Sequence, residues 1–338
     1  MRVLSIAKRL IKQLRGDKRS IALMFVAPVF VMYLLSAILC SATTTPNIDV
    51  ISSVPNTYVT KLQNLANVKK VESEEIALNN LKDKSIDAYI IFKENSPKIT
   101  IEGADPAITS LVMNTLNKLS NNSTSKKSEI TFLHGSKDMG TFDSMAPILM
   151  GFFIFFFVFL IAGVAFLRER ISGTLERILA SPLKRWEIVL GYFLGFGSFV
   201  AIQTIILQLF SVYGLNVPLV GSFWTVLIIN LVLASGSLAL GTLLSAFARN
   251  EFQLFQFIPI VIVPQIMFSG IFDLRNSPVW ARVLSKIFPM TYGAEALRDV
   301  MLRGKSLIDV KFDLLMLVGY AILFLVLNTL ALKKYRKA

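Results

Sequence analysis

Long stretches without a charge alternate with short stretches dense in charge, and this alternation organises the whole chain. Six apolar runs have the roughly 20-residue length needed to cross a bilayer as a helix. They cover residues 21–40, 145–167, 188–213, 219–248, 252–272 and 314–332. Residues 188–248 hold no charge over 61 positions. One helix of that length would overshoot any membrane, so the run divides at "YGLNVPLVG", where Gly, Asn and Pro favour a turn. The pattern predicts an α-helical polytopic membrane protein with six transmembrane helices, the first within residues 20–42 and the other five within 144–338.

Residues 43–143 follow a different rule. "IDVIS", "DAYIIFK" and "KITIEGA" read as strands, and "NTYVTKLQNLAN", "SEEIALNNLKDKS" and "DPAITSLVMNTLNKLS" as helices. Asp105-Pro106 supplies a capping residue and a proline at the first helical position. "NNSTSKKSE" reads as a loop. The segment is large enough to bury its own core, and it is expected to form an α/β domain between the first and second spans.

Charge sets the orientation. With the N-terminus inside, the short inner segments carry seventeen Lys and Arg against seven in the short outer ones. Both termini are therefore expected in the cytoplasm and the α/β domain outside. The basic start and apolar run resemble a signal peptide, but the run is too long. Leu39 is also bulky where a lipoprotein cleavage site needs a small residue, so an uncleaved anchor is expected. Residues 1–19 place Val3, Leu4, Ala7, Leu10, Ile11 and Leu14 at helical spacing, with Lys8, Arg9, Lys12 and Arg15 between them. This predicts an amphipathic interfacial helix on the inner leaflet.

Composition removes several functions. The chain is 54% hydrophobic with a formal charge of +13, and the bases flank apolar spans, so a nucleic-acid partner is not expected. One cysteine, Cys40, excludes an internal disulfide, and the single histidine, His134, leaves little for His-centred chemistry. The six runs contain no ionisable residue, which argues against a proton-coupled carrier. "GKS" at Gly304–Ser306 ends like a phosphate-binding loop, but the glycine required five residues earlier is Asp299. No nucleotide-binding or metal-binding motif is present, and no cofactor is expected in this chain. Gly191-x-x-x-Gly195 and Ser237-x-x-x-Gly241 allow close helix approach, expected inside the protomer.

The densest charge is in "RERISGTLERILASPLKRWE", residues 168–187, where eight of twenty positions are charged. Gly173-Thr174 opens a short helix with Leu175, Ile178 and Leu179 on one side and Glu176 and Arg177 on another. Ser181-Pro182 is expected to restart the chain as a helix running into the third span. A crosswise helix of this kind, with its apolar stripe turned from the membrane, invites a protein partner. Beyond Pro278, the residues Val279, Trp280, Val283, Leu284, Ile287 and Phe288 form an apolar face, and a further helix follows Pro289.

These residues resemble the ABC-2 type transporter permeases. Glu169, Gly173, Thr174, Glu176 and Pro182 match the E…G-T-x-E…P signature. "FIPIVIVPQIMFSGIF" and "SPVWARVLSKIFPMTYGAEALRDVMLRG" are similar to the family's later segments, and the resemblance covers nearly the whole chain. It implies an exporter's membrane subunit in a bacterial cytoplasmic membrane. Such a subunit pairs with a second permease copy or a homologous permease, and with a separate ABC ATPase that binds the ATP. It implies that residues 173–180, with Glu169, Arg177 and Pro182, form the coupling helix, and that the N-terminal helix makes a second ATPase contact. Residues 277–303 would form re-entrant outer helices, with Pro278, Trp280, Pro289, Tyr292, Glu295 and Arg298 at an outer gate. A large outer domain is typical of members that handle drugs, peptides or lipid-like amphiphiles. Two other readings stay open: a membrane sensor or scaffold whose outer domain binds a ligand while its inner loop recruits a partner, and a lipid-acting membrane enzyme.

Overall fold

The computed structural model describes residues 2–16, 18–38, 46–51, 54–63, 65–83, 85–93, 96–101, 103, 109, 112–113, 115, 129–132, 141–271 and 278–333. The chain forms two compact units, Ile38–Met145 and a second made of Met1–Ala37 with Ala146–Ala338.

The first unit is a five-stranded sheet with helices on both faces. Its elements are β1 (Asn47–Ile51), α3 (Asn56–Gln63), β2 (Asn67–Val71), α4 (Glu74–Lys82), β3 (Ala88–Lys93), β4 (Ser96–Ile101) and β5 (Glu129–Phe132). The strand order is β2-β1-β3-β4-β5. β1 lies parallel to both β2 and β3, β3 and β4 are antiparallel, and β4 and β5 are parallel. Period-two alternation sends Ile48, Val50, Ala88, Ile90, Ile99 and Ile101 to one face, with Val59 and Leu62 of α3. Ile51 and Tyr89 meet Ala77 and Leu81 of α4 on the other. Ser73 caps α4 by accepting from the Ile76 N–H at 3.3 Å. The three strands read from the sequence are present, and two more join them. β2 is an edge strand whose Lys69 and Lys70 are exposed, so its polar appearance reflects edge protection rather than a loop. β5, at the other edge, begins at Glu129, the last residue of the expected loop. The expected helix start at Asp105-Pro106, Cys40 and His134 lie outside the described residues.

The second unit is helical. Its elements are α1 (Arg2–Gly16), α2 (Lys18–Ile38), α5 (Thr141–Ile171), α6 (Thr174–Leu179), α7 (Arg185–Leu209), α8 (Phe223–Ser245), α9 (Glu251–Ile266), α10 (Val279–Ser285), α11 (Pro289–Met301) and α12 (Lys311–Ala331). π-helical turns extend α7 through Phe210–Gly214 and α9 through Met267–Ile271. Among the described residues, five helices are long and apolar enough to cross a membrane: Phe142–Ile171, Arg185–Gly214, Phe223–Ser245, Glu251–Ile271 and Lys311–Ala331. The first expected span corresponds to α2, where the described apolar stretch is the shorter Met24–Ala37.

Helix contacts are built on small residues and on buried amides, as expected where lipid offers no hydrophobic drive. The Ser237 hydroxyl donates to the Phe155 carbonyl, and Gly241 lies against the Phe159 carbonyl. Each pair is one turn apart on its own helix, so α5 and α8 run in the same direction there. By the same reasoning α1 runs with α7, because Ile6 meets Gly191 and Leu10 meets Gly195. Asn328 of α12 donates to the Ala239 carbonyl of α8 at 2.7 Å. Gln208 of α7 donates to the Phe223 carbonyl at 2.9 Å and accepts from Asn230 of α8 at 3.1 Å. Both small-residue pairs therefore serve contacts within the protomer, and α8 is the most enclosed of the five spans.

A Cβ at Gly241 would fall 2.4 Å from the Phe159 carbonyl oxygen, whereas one at Gly236 meets nothing within 4 Å. Gly241→Ala is expected to lower stability by about 1–3 kcal/mol, as overpacking does. Gly236→Ala is expected to leave stability unchanged or to raise it. Thermal unfolding of the two variants in detergent measures the contrast.

Candidate functional site

Helix α5 continues past its apolar run into Arg168, Glu169 and Arg170. Successive helical residues lie about 100° apart, so these three reach different neighbours. Arg168 Nε donates to Glu251 Oε1 at 2.8 Å, at the start of α9. Arg170 Nη1 donates to the Ser245 and Ala246 carbonyls, each at 2.8 Å, and Nη2 donates to the Ala248 carbonyl. The first two carbonyls end α8, where the helix offers no internal donor and its dipole favours a cation, and the third lies just beyond it.

Glu169 is 3% exposed. Its carboxylate accepts from Arg9 Nη2 at 2.5 Å, Gln13 Nε2 at 2.6 Å and the Tyr192 hydroxyl at 2.8 Å. Arg9 and Gln13 are one turn apart on the same flank of α1. Tyr192 lies within the Gly191–Gly195 turn of α7, and the Arg9 guanidinium also sits 5.9 Å from the centre of its ring. A Cβ at Gly191 would approach Ile6 Cβ to 2.7 Å and one at Gly195 would approach Leu10 Cδ1 to 2.8 Å. The missing side chains therefore let α1 come close enough for Arg9 to reach the carboxylate. Burial alone would lower the Arg9 pKa, but Tyr192 and Glu169 outweigh it and hold the guanidinium above its ordinary value. A buried carboxylate costs several kcal/mol in lost hydration; three donors, one of them cationic, offset it here.

From this knot the chain turns into α6. Gly173 takes a left-handed conformation, φ 72° and ψ 3°, which glycine adopts without strain. Leu175 and Leu179 are buried, and Glu176, Arg177 and Ala180 are exposed. The apolar stripe thus packs inward and the charged face looks out, which corrects the expectation that the stripe itself faces a partner. Burying two leucines fixes a six-residue helix too short to stand alone. The expected helix restart at Ser181-Pro182 is also corrected. α7 begins at Arg185, and the Lys184 N–H donates to Glu187 Oε2 at 2.7 Å, an N3 carboxylate reaching back to the cap. Pro182 is exposed, and its carbonyl accepts from Arg2 Nη1 at 3.3 Å. Helix α1 therefore grips the loop on both sides of α6, at Glu169 before it and at Pro182 after it.

The other candidate region surrounds the C-terminal end of α9. Thr291 Oγ1 donates to the Phe268 carbonyl at 2.9 Å, and Arg298 Nη2 to the Gly270 carbonyl at 3.2 Å. Both carbonyls belong to the π turn. The Gln265 side chain accepts from the Met290 N–H at 3.1 Å. Pro289 begins α11, as the sequence implied, and Pro278 precedes α10; Ser277 lies outside the described residues. Tyr292 donates to the Lys286 carbonyl at 2.8 Å. Trp280, Val279, Val283 and Ile287 are exposed, as is Glu295. The expected gate residues thus divide. Tyr292 ties α11 to the end of α10 and Arg298 ties it to the π turn after α9; Pro289 opens α11, while Pro278, Trp280 and Glu295 lie on the surface. Asp299, the residue that breaks the phosphate-loop pattern, is buried and accepts from Arg303 and from Lys305 Nζ, the latter at 2.7 Å. The lysine of "GKS" is therefore a partner of this carboxylate.

Residues 18–330 match the family described as "ABC-2 family transporter protein". The chain belongs to that family. Among curated proteins it is 30% identical over 208 residues to ABC transporter G family member 20 of Dictyostelium discoideum, covering 61% of this chain and 28% of that protein. It is 30% identical over 174 residues to the probable multidrug ABC transporter permease YbhS of Escherichia coli (strain K12), covering 49% of this chain and 45% of that one. The inner membrane transport permease YhhJ of the same strain is 26% identical over 181 residues, 52% of this chain and 47% of YhhJ. The chain thus spans less than half the length of each of these three relatives. It is a polytopic membrane protein of the ABC-2 family.

The signature singled out Glu169 but not the donors around it. Arg9 read as one of four bases on a polar face, and Tyr192 as one aromatic in an apolar run. The findable signal was the pairing of Arg9 and Gln13 at i, i+4 beside the apolar stripe of α1, opposite a Gly-x-x-x-Gly turn with a tyrosine inside it. Arg170 had no signal, because a guanidinium that caps another helix looks like any positive-inside charge.

Removing one partner of a buried ion pair costs more than neutralising both ends of it, because the remaining charge has lost its compensation. Arg9→Ala is therefore expected to destabilise by about 3 kcal/mol. Glu169→Gln leaves the half-exposed Arg9 to water and is expected to cost less. Detergent-solubilised melting of both variants tests the order; the reverse order would contradict the geometry.

Proposed function

We propose that this chain is the membrane subunit of an ATP-binding cassette exporter in a bacterial cytoplasmic membrane, driven by a separate ATPase subunit docked on α6. The single observation that carries this reading is the short helix α6, anchored by two buried leucines, with its charged face exposed and its loop braced from both sides by α1. A force applied to the exposed face of such a helix is passed to α5 through Gly173 and Glu169, and to α7 through Lys184 and Glu187. ATP-driven closure of two ATPases beneath two such subunits would then shift the balance between inward-facing and outward-facing arrangements of the spans.

In this reading the membrane part has six spans with both termini in the cytoplasm, α2 being the first. The α/β unit lies outside, and α10 and α11 form re-entrant helices at the exit, with Trp280 and its apolar neighbours facing lipid or the outer gate. The second subunit is another copy or a homologous permease. The exposed apolar faces of α9 (Phe252, Phe255, Ile260 and Val263) and α12 (Phe312, Leu315, Ile322 and Val326) leave room for it as well as for lipid. The ATP is bound by the ATPase, and no cofactor is assigned to this chain. The cargo is a drug, peptide or lipid-like amphiphile, by analogy with relatives whose names include a probable multidrug permease.

Breaking α6 with Ile178→Pro is expected to abolish copurification of the ATPase and its substrate-stimulated turnover. Deleting the α/β unit is expected to leave copurification intact. On the exposed face, Glu176→Lys is expected to weaken docking without lowering the melting temperature. Affinity pull-down from the native membrane measures all three. Docking that survives Ile178→Pro and is lost with the α/β unit would overturn the assignment and favour a sensing role for the outer unit.

A further inference from the structure

We propose that the exposed basic stripe of α1, formed by Lys8, Lys12 and Arg15, is a binding surface for the headgroups of anionic phospholipids in the inner leaflet. Through the brace on α6, this surface would make ATPase coupling depend on the membrane's surface charge. The proposal deepens the coupling reading above and rests on its orientation of the chain.

Only one face of α1 remains available. An interfacial helix ordinarily holds itself to a bilayer by burying its apolar stripe among acyl chains. Here Ile6, Ala7 and Leu10 are buried, and they pack on Gly191 and Gly195 of α7. The Arg9 and Gln13 flank is committed to Glu169. Lys8, Lys12 and Arg15 are exposed, and they follow the i, i+4, i+7 spacing that lines one face. Apart from the exposed Leu4, what this helix offers to its surroundings is therefore polar, and its charge is all cationic.

Arg2 is level with the Pro182 turn beside α6, and α1 runs in the direction of α7. At 1.5 Å per residue, Lys8 stands about 9 Å and Arg15 about 20 Å further along the helix than Arg2. The stripe thus climbs away from the ATPase-facing end of the loop and towards the bilayer. The span Arg185–Gly214 has 30 residues, about 45 Å of helix against a hydrocarbon core of about 30 Å. With Gly214 taken as the outer edge of the hydrocarbon in the proposed orientation, counting about 20 residues back brings the inner boundary to the neighbourhood of Leu194. That is beside Gly195, and so beside Leu10; Lys8 then stands just on the aqueous side, Lys12 at the boundary, and Arg15 about 8 Å beyond it, where its long side chain must reach back to the phosphates. Long basic side chains at this level extend to the phosphates. Each one near an anionic surface contributes roughly a fivefold gain in affinity.

Lys8 and Lys12 flank Arg9, which holds Glu169, and Arg2 on the same helix holds Pro182. A lipid that fixes α1 fixes both shoulders of α6.

The test is electron spin resonance of the purified full-length chain in phosphatidylcholine vesicles, comparing spin-labelled phosphatidylglycerol with spin-labelled phosphatidylcholine. The wild-type chain is expected to restrict the anionic label several-fold more than the choline label. That preference should fall as salt is raised and should be lost in Lys8→Gln/Lys12→Gln/Arg15→Gln. A triple variant that keeps the preference overturns the proposal, as does a wild-type preference insensitive to salt, a measurement that needs no variant to fold. If the triple variant keeps its lipid preference but loses the ATPase in pull-down, the stripe is a protein-docking surface and the lipid assignment fails. Because the lipid readout requires no ATPase, a failure of the coupling reading would appear separately, as a normal lipid preference with no ATPase bound.

Discussion

The buried carboxylate of Glu169 is the constraint on which the architecture around α6 depends. A charge so enclosed must be satisfied, and its donors come from two elements distant in sequence, Arg9 and Gln13 on α1 and Tyr192 on α7. Satisfying it requires α1 to lie tightly along α7, which in turn requires glycine at 191 and 195. The neighbours Arg168 and Arg170 extend the same logic to α9 and to the end of α8. Three consecutive charges thus join the α6-side ends of four helices to the N-terminal helix. This accounts for the concentration of charge between spans that carry none. The charges are fasteners at a level where spans are held together without losing contact with water.

The same arrangement explains how a six-residue helix can be rigid. α6 has too few backbone hydrogen bonds to persist by itself. It is held by two buried leucines, by a left-handed glycine that sets its angle to α5, and by α1 gripping both sides of its loop. A braced element with an exposed charged face, mounted between two spans, is what the proposed ATPase docking requires. At the opposite ends of the spans, α9 widens into a π turn whose carbonyls are taken up by Thr291 and Arg298 of α11, and Asp299 gathers Arg303 and Lys305. Polar fasteners therefore occur at both ends of the bundle, while its middle relies on small residues and amide contacts.

Much of this was legible in the sequence. Charge-free runs marked the five long helices, and Gly-x-x-x-Gly and Ser-x-x-x-Gly spacing marked the sites of close approach. Alternation marked the three inner strands of the α/β unit. What escaped followed from physical ambiguity. An edge strand guarded by Lys69 and Lys70 has the composition of a loop. The stripe of Leu175 and Leu179 is equally suited to packing inward or to receiving a partner, and only the fold decides. Ser181-Pro182 carries good capping chemistry, but the reach of Glu187 back to Lys184 starts the helix three residues later. The donors to Glu169 were hidden because a long-range ion pair leaves no periodic trace, whereas core faces do.

The central claim is that α1, through Arg9, holds the loop that carries α6. Hydrogen–deuterium exchange of the backbone amides of residues 172–184 tests it most directly, comparing the intact chain with Arg9→Ala. The account predicts faster exchange in this segment when Arg9 is lost, although the substitution lies more than 160 positions away in sequence, with amides in the middle of α8 unchanged. Unaltered exchange across residues 172–184, with loosening confined to α1, would contradict it.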